Sequence, residues 1–197
     1  MQLTKITVLT FTLFSFLLSK DLPLGSSIPL SSIKMESING EKVSLNDVMM
    51  ENGLLVNFTC NTCPWVKRWQ DRYNGLAEAS KKNKIGFIAI NPNAGKRDRG
   101  ESMDDMKKFS DKYDHNFLYT LDKEAKLATA FGARTTPHIY LFNGEGKLVY
   151  KGSIDDNAAK KRKVKKNYLM NAIKAVGKNK EVKLAETKAL GCSIKFP

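Results

Sequence analysis

Two cysteines with two residues between them, Cys60-Asn61-Thr62-Cys63, close a short apolar run and stand directly before Pro64. At that spacing two sulfurs meet across a single turn, so a disulfide can form and open with little backbone movement. Where a strand gives way to a helix, the pair also lies among unpaired amide hydrogens and at the positive end of the helix dipole, both of which favour a thiolate. One cysteine can then attack a disulfide or a peroxide while the other resolves the intermediate. Pro64 bears on the order of attack, because proline is welcome in the first turn of a helix and breaks its body. A helix starting near Cys63 gives that sulfur the larger share of the dipole, whereas motifs of this kind ordinarily use the first cysteine as the exposed nucleophile. Both orders stay open on sequence grounds. A zinc site needs four ligands in paired spacings, and beyond this pair the chain offers only Cys192, His115 and His138, widely scattered.

The second landmark is Thr135-Thr136-Pro137-His138. A proline at the first residue of a strand costs no ladder bond, and a cis peptide is compatible with the position. The third cysteine, Cys192, follows Gly191 in a short tail and is either a lone thiol or a third redox partner able to reduce a Cys60–Cys63 disulfide.

The elements that must position these residues alternate along the chain. Residues 54–58 form an apolar run fit for a buried strand, and 64–82 place Trp65, Val66, Trp69, Tyr73, Leu76 and Ala77 on one helical face. Residues 85–90 read as a strand ended by Asn91-Pro92-Asn93. A helical stripe follows at Met103, Met106, Phe109, Ser110 and Tyr113, then a strand at 117–121 and a short helix at 123–131 closed by Gly132. Two strands, 138–142 and 147–152, flank Asn143-Gly144-Glu145-Gly146 as a hairpin, and a last helix over 164–176 stops at Gly177. Ahead of them, 28–45 holds short extended stretches around the turn signal Asn39-Gly40, expected to pack in front of the main sheet. Strand–helix alternation implies right-handed crossovers, a mainly parallel sheet with an antiparallel edge, and a three-layer α/β sandwich. Chemistry in such folds gathers where strands end and helices begin, which is where Cys60 and Cys63 stand.

Length and composition fit one domain: 197 residues, 42% of them hydrophobic, bury a core without disulfide staples. Residues 1–20 read as a signal peptide, with Lys5 ahead of a thirteen-residue stretch, 6–18, built only of apolar residues, Thr and Ser. The remainder, 21–197, is read as a single domain, exported to the periplasm or secreted, where a cysteine pair can cycle. The net charge is +13, and from Lys151 onward 13 Lys and Arg face 4 Asp and Glu, which makes the C-terminal region a basic surface.

The order of a C-x-x-C on the first long helix, a Thr-Pro before a hairpin and a closing helix resembles the thioredoxin fold over residues 54–176. The extra helix and strand at 103–121 look like the redoxin branch, which includes peroxiredoxins and periplasmic thiol-disulfide proteins. Three strings, Phe58-Thr59-Cys60-Asn61-Thr62-Cys63-Pro64-Trp65, Gly152-Ser153-Ile154-Asp155-Asp156-Asn157 and Gly191-Cys192-Ser193-Ile194-Lys195, are together similar to peroxiredoxin-like proteins of the thioredoxin family, the alkyl hydroperoxide reductase and thiol-specific antioxidant kind. The resemblance implies a thioredoxin-like three-layer α/β/α sandwich with a mixed central sheet and a redoxin-type helix–strand insertion. It also implies that Pro137 is a cis-proline facing the sulfurs and that the backbone of Thr136 pairs with an incoming chain. Peroxiredoxins carry Thr three residues before the peroxide-reactive cysteine. Here Cys60 holds that place before Cys63, while Thr59 and Thr62 are out of register, although either could bring a hydroxyl to the thiolate.

The reading is therefore a thiol-disulfide oxidoreductase with Cys60, Cys63, Thr136 and Pro137 as its catalytic set and Cys192, Thr59, Thr62 and Pro64 in support. Its partners are a protein dithiol or disulfide, or a small thiol; no cofactor or metal is expected. Two alternatives stand beside it, a peroxiredoxin-like peroxide reductase and a copper chaperone of the cytochrome oxidase assembly type. The second would add His115 or His138 to the thiolates, but those chaperones have three residues between their cysteines. The basic run Lys160-Lys161-Arg162-Lys163-Val164-Lys165-Lys166 has no aromatic interleaving for bases and conflicts with an export signal, so no nucleic acid is expected. Membrane contact is expected only through an uncleaved leader.

Overall fold

Apolar strands and one-sided helices fold residues 21–197, the part that the computed structural model describes, into three layers; the leader expected over 1–20 lies outside the described residues. In chain order the elements begin with β1 (Met35–Ser37), β2 (Lys42–Val43), α1 (Leu45–Val48), β3 (Gly53–Phe58), α2 (Pro64–Arg68), α3 (Gln70–Lys82) and β4 (Ile85–Asn91). They continue through α4 (Met103–Lys112), β5 (Leu118–Leu121), α5 (Lys126–Phe131), β6 (Thr135–Thr136), β7 (His138–Asn143), β8 (Leu148–Gly152), α6 (Tyr168–Val176) and β9 (Cys192–Ser193).

Every residue of β3 is buried, as a continuous apolar run demands of a strand covered on both faces. Leu54, Val56 and Phe58 join Leu127, Ala128 and Phe131 of α5 on one side. Leu55 joins Trp69 and Tyr73 of α3 and its approach, and Leu169 and Ile173 of α6, on the other. β4 and β5 pair in parallel. β3 abuts β4 in the same direction, tied by the Asn52 amide to the Lys84 carbonyl (2.9 Å) and the Thr59 amide to the Ile90 carbonyl (2.8 Å). β7 runs antiparallel to β3, and β8 antiparallel to β7 with a register shift between Leu141 and Phe142.

The sheet is mixed rather than mainly parallel. The β1–β2 hairpin does not pack in front of it but extends it, with β1 antiparallel to β5 through Glu36 opposite Leu121 and Ser37 opposite Thr120. Turn chemistry at Asn39-Gly40 specifies a hairpin; which sheet edge that hairpin joins is a long-range matter that the turn does not encode.

Three helices differ in extent from their periodicity. The stripe over 64–82 is two helices, separated at Trp69 (φ −100°, ψ 8°). The break falls where the fully buried Trp69 donates its indole N–H to Asp155 Oδ1 (3.1 Å), one turn before Arg72 gives its Nε–H to Asp155 Oδ2 (3.2 Å). Asp155 thereby fixes α2 against α3, which is the structural use of the 152–157 string. α5 starts only at Lys126 because the Asp122 carboxylate accepts the amides of Leu127 (3.1 Å) and Ala128 (2.9 Å), and Gly132 ends the helix in the left-handed region (φ 65°). α6 starts at Tyr168, so Val164 and the exposed basic run precede it as a loop.

Removing the Asp155 carboxylate strands a buried guanidinium. Asp155→Ala is expected to cost about 3–5 kcal/mol in urea unfolding of the reduced protein, and a loss under 1 kcal/mol would mean that Arg72 is adequately held by its other acceptors.

Candidate active site

The loop after β3 carries the cysteines, and a buried carboxylate holds that loop in place. Glu101 is fully buried, and its Oε2 accepts the Asn61 amide (2.9 Å) and Asn91 Nδ2 (2.8 Å). Its Oε1 accepts the Thr62 amide (3.0 Å) and the Thr62 hydroxyl (2.6 Å). Arg97 closes the cluster, donating to the Asn91 side chain and to the carbonyls of Glu101, Asn91 and Asp122 at 2.9–3.0 Å. Charge-assisted bonds of this kind are the strong ones, and here they fix the two residues between the sulfurs. Thr62 thus spends its hydroxyl on Glu101 rather than on a thiolate, and the Thr59 amide pins the loop to β4.

Cys63 is the N-cap residue of α2, with extended backbone (φ −71°, ψ 124°) and Pro64 at the first helical position. Neither sulfur is exposed: Cys60 is 1% and Cys63 3% accessible. The opposite wall is Thr136, followed by the cis Thr136–Pro137 peptide. The Thr136 hydroxyl lies 3.1 Å from Cys60 Sγ, and its carbonyl oxygen accepts from the Cys63 thiol (3.2 Å), a bond given up when Cys63 ionises.

The two thiols differ in acidity. Cys63 is lowered to about 5, first by the hydrogen bond it receives from Cys60, and then, against the cost of burial, by the Cys192 thiol and the amides of Val66 and Cys192. Cys60 moves the other way, pushed well above the ordinary thiol range by donating to Cys63, by burial and by the Glu101 charge. A thiolate at the helix N-cap beside a protonated neighbour is the arrangement a disulfide-exchanging pair needs.

Cys192 belongs to this cluster. β9 pairs antiparallel with β6, placing Cys192 opposite Thr136, and Cys192 packs against the apolar cluster that contains Cys60 and Cys63. The edge of Thr136 expected to receive an incoming chain is therefore taken by the protein's own tail. The sequence leaves Cys192 as either a lone thiol or a third redox partner, and the β6–β9 pairing brings it to the site; Glu101, Arg97 and Asn91 carry no sequence signal, being ordinary polar residues until the fold buries them together.

The histidines lie elsewhere. His138 shares the Tyr140 face of β7, with its Nδ1 3.2 Å from the Tyr140 hydroxyl, while the cysteines sit with Ile139 on the other face. His115 bonds Gln70 (2.8 Å) and stacks on Phe117. Neither imidazole joins the sulfurs as the copper alternative requires.

With this geometry in view, the profile of the AhpC/TSA family matches residues 25–151, which include Cys60, Cys63 and Pro137. An uncharacterized conserved protein from Geobacillus kaustophilus is 30% identical with a TM-score of 0.82, over 89% of this chain and 93% of that one. A hypothetical protein from Sinorhizobium meliloti 1021 is 27% identical with a TM-score of 0.82, over 90% and 97%. The thioredoxin domain of a thiol-disulfide oxidoreductase from Bacteroides vulgatus is 26% identical with a TM-score of 0.55, over 66% and 89%. No curated protein matches the chain.

Glu101→Gln keeps the shape of the side chain and removes its charge. The variant is expected to lose about 1–3 kcal/mol in urea unfolding and to lower the pH at which Cys60 is alkylated, since the Glu101 charge helps hold that thiol protonated. An unchanged Cys60 profile would assign its weak acidity to Cys63 and burial alone.

Proposed function

The chain belongs to the AhpC/TSA family, a redox enzyme on a thioredoxin-like fold, and from that premise we propose that it is a thiol-disulfide oxidoreductase in which Cys63 attacks and Cys60 resolves. The observation that carries this reading is the placement of Cys63 at the N-cap of α2, with Cys60 beside it against the Thr136 hydroxyl. In the reducing direction the Cys63 thiolate attacks one sulfur of a disulfide, and the other sulfur leaves as a thiolate and takes up a proton. Cys60 then gives up its proton and attacks Cys63 Sγ, closing the Cys60–Cys63 bond and releasing the second substrate thiolate. Two electrons pass from the cysteine pair to the substrate. The Thr136 hydroxyl, 3.1 Å from Cys60 Sγ, is placed to donate a hydrogen bond to the thiolate that forms there during that step. Disulfide chemistry is favoured over peroxide reduction because the Thr62 hydroxyl is committed to Glu101 rather than to Cys63. The leader read over residues 1–20 would bring this exchange to periplasmic or secreted partners.

Equilibration in graded glutathione buffers, followed by alkylation and mass mapping, is expected to show a reversible Cys60–Cys63 disulfide. Replacing both cysteines by Ser should abolish exchange, and a double variant with full activity would end the proposal.

The acidity of Cys63 has a separate signature. Its thiolate is expected to be half-formed near pH 5 in alkylation kinetics. Because the folded value lies below the unfolded one, roughly 8.5, the thiolate stabilises the reduced fold. That gain is full above the unfolded value and is lost as pH falls through 5. Reduced Cys63→Ser should lack this rise in stability between pH 5 and 8.5. A wild-type protein without it would return the nucleophile to Cys60.

A further inference from the structure

Cys60 and Cys63 are sealed from solvent, and the strand edge beside them is filled by β9. Cys192 is the half-buried member of the three. Its strand is seated firmly: the Ile194 amide bonds the Arg134 carbonyl (2.9 Å), the Lys195 amide bonds Asn93 Oδ1 (2.9 Å), the Lys195 carbonyl accepts the Gly95 amide (2.8 Å), and Ile194 is buried in the α5 side of the core. Gly191 lets the strand lie this close, since a Cβ there would stand 2.3 Å from the Thr136 carbonyl oxygen. Cys192 stands opposite Thr136 across the β6–β9 ladder, and Thr136 carries Cys60 Sγ at its hydroxyl (3.1 Å) and Cys63 Sγ at its carbonyl oxygen (3.2 Å), so all three cysteines gather at one residue.

We propose that Cys192 is a third redox residue through which external thiols and disulfides reach the buried pair, by a relay of disulfides along Cys192, Cys63 and Cys60. The proposal rests on the exchange reaction at Cys60 and Cys63 and names its route of access. Starting from the oxidised pair, the Cys192 thiolate attacks Cys63 Sγ. The Cys60–Cys63 bond breaks, the Cys63–Cys192 bond forms, and Cys60 leaves as a thiolate that takes up the proton Cys192 lost. No net oxidation occurs in this step. An external thiol then attacks Cys192 Sγ, releasing Cys63 as a thiolate, and a second equivalent of the same thiol frees Cys192 and leaves as the external disulfide, so two electrons enter the protein. Run backwards, the relay carries an external disulfide inward, with Cys63 attacking the sulfur that Cys192 presents.

The test uses the full chain with glutathione as the external thiol. Oxidised wild type and Cys192→Ser are reduced in parallel. The variant is expected to react about tenfold more slowly, because a thiol held beside the disulfide outruns one in solution. Equal rates in the two proteins would overturn the relay while leaving the exchange reaction intact; a wild type that forms no reversible Cys60–Cys63 disulfide would instead overturn the exchange reaction itself. A second arm leaves the tail untouched, so it does not depend on how Cys192→Ser folds. Cys60→Ser treated with glutathione disulfide should yield an intrachain Cys63–Cys192 bond by mass mapping, and a product carrying glutathione adducts alone would overturn the relay.

Discussion

The site hangs on Thr136. Its hydroxyl faces Cys60, its carbonyl faces Cys63, and its backbone pairs with Cys192, so one buried residue sets the position of three sulfurs that lie far apart in the chain. It can do so because β6 stands out of the main sheet, between the left-handed cap of α5 at Gly132 and the cis peptide that leads into β7. A residue within a continuous ladder has its carbonyl and amide already committed to neighbouring strands. Thr136 lies outside the main sheet and pairs with β9, and its hydroxyl and carbonyl reach the two buried sulfurs.

Electrostatics then divides labour among the sulfurs. Amides near the start of a helix are a limited supply of positive potential, and Glu101 takes those of Asn61 and Thr62. The Val66 amide in the first turn of α2 and the Cys192 amide brought by β9 favour the Cys63 thiolate. The same carboxylate that orders the loop also raises Cys60 by its charge, so a single buried acid both shapes the motif and makes its two thiols unequal. Cys60, kept protonated, is left the less acidic of the two thiols.

The sequence disclosed those parts of the design that are local. The C-x-x-C spacing, Pro64 at the first helical position and Gly132 at a helix end each act within a turn of chain, and each stands where its chemistry places it. Apolar runs likewise located β3, β4 and β7. What escaped was set by distance: the hairpin strand β1 choosing β5 as its neighbour, Asp155 breaking a helical stripe at Trp69, and the tail crossing the molecule to lie on Thr136. His138 shows the same limit in reverse. Adjacent to Pro137 in sequence, it is turned by the two-residue alternation of β7 to the face away from the sulfurs. Glu101 carries no local signature at all, because a glutamate after a glycine reads as surface until a cavity of amides closes round it.

The number of sulfurs at Thr136 has its own arithmetic. The chain has three cysteines, and an odd set cannot be exhausted by pairing within one molecule. Whichever two are joined within the chain, one thiol is left over near Thr136. Internal oxidation therefore never spends every sulfur, and in the proposed relay the one left over is the nucleophile that moves or undoes the disulfide.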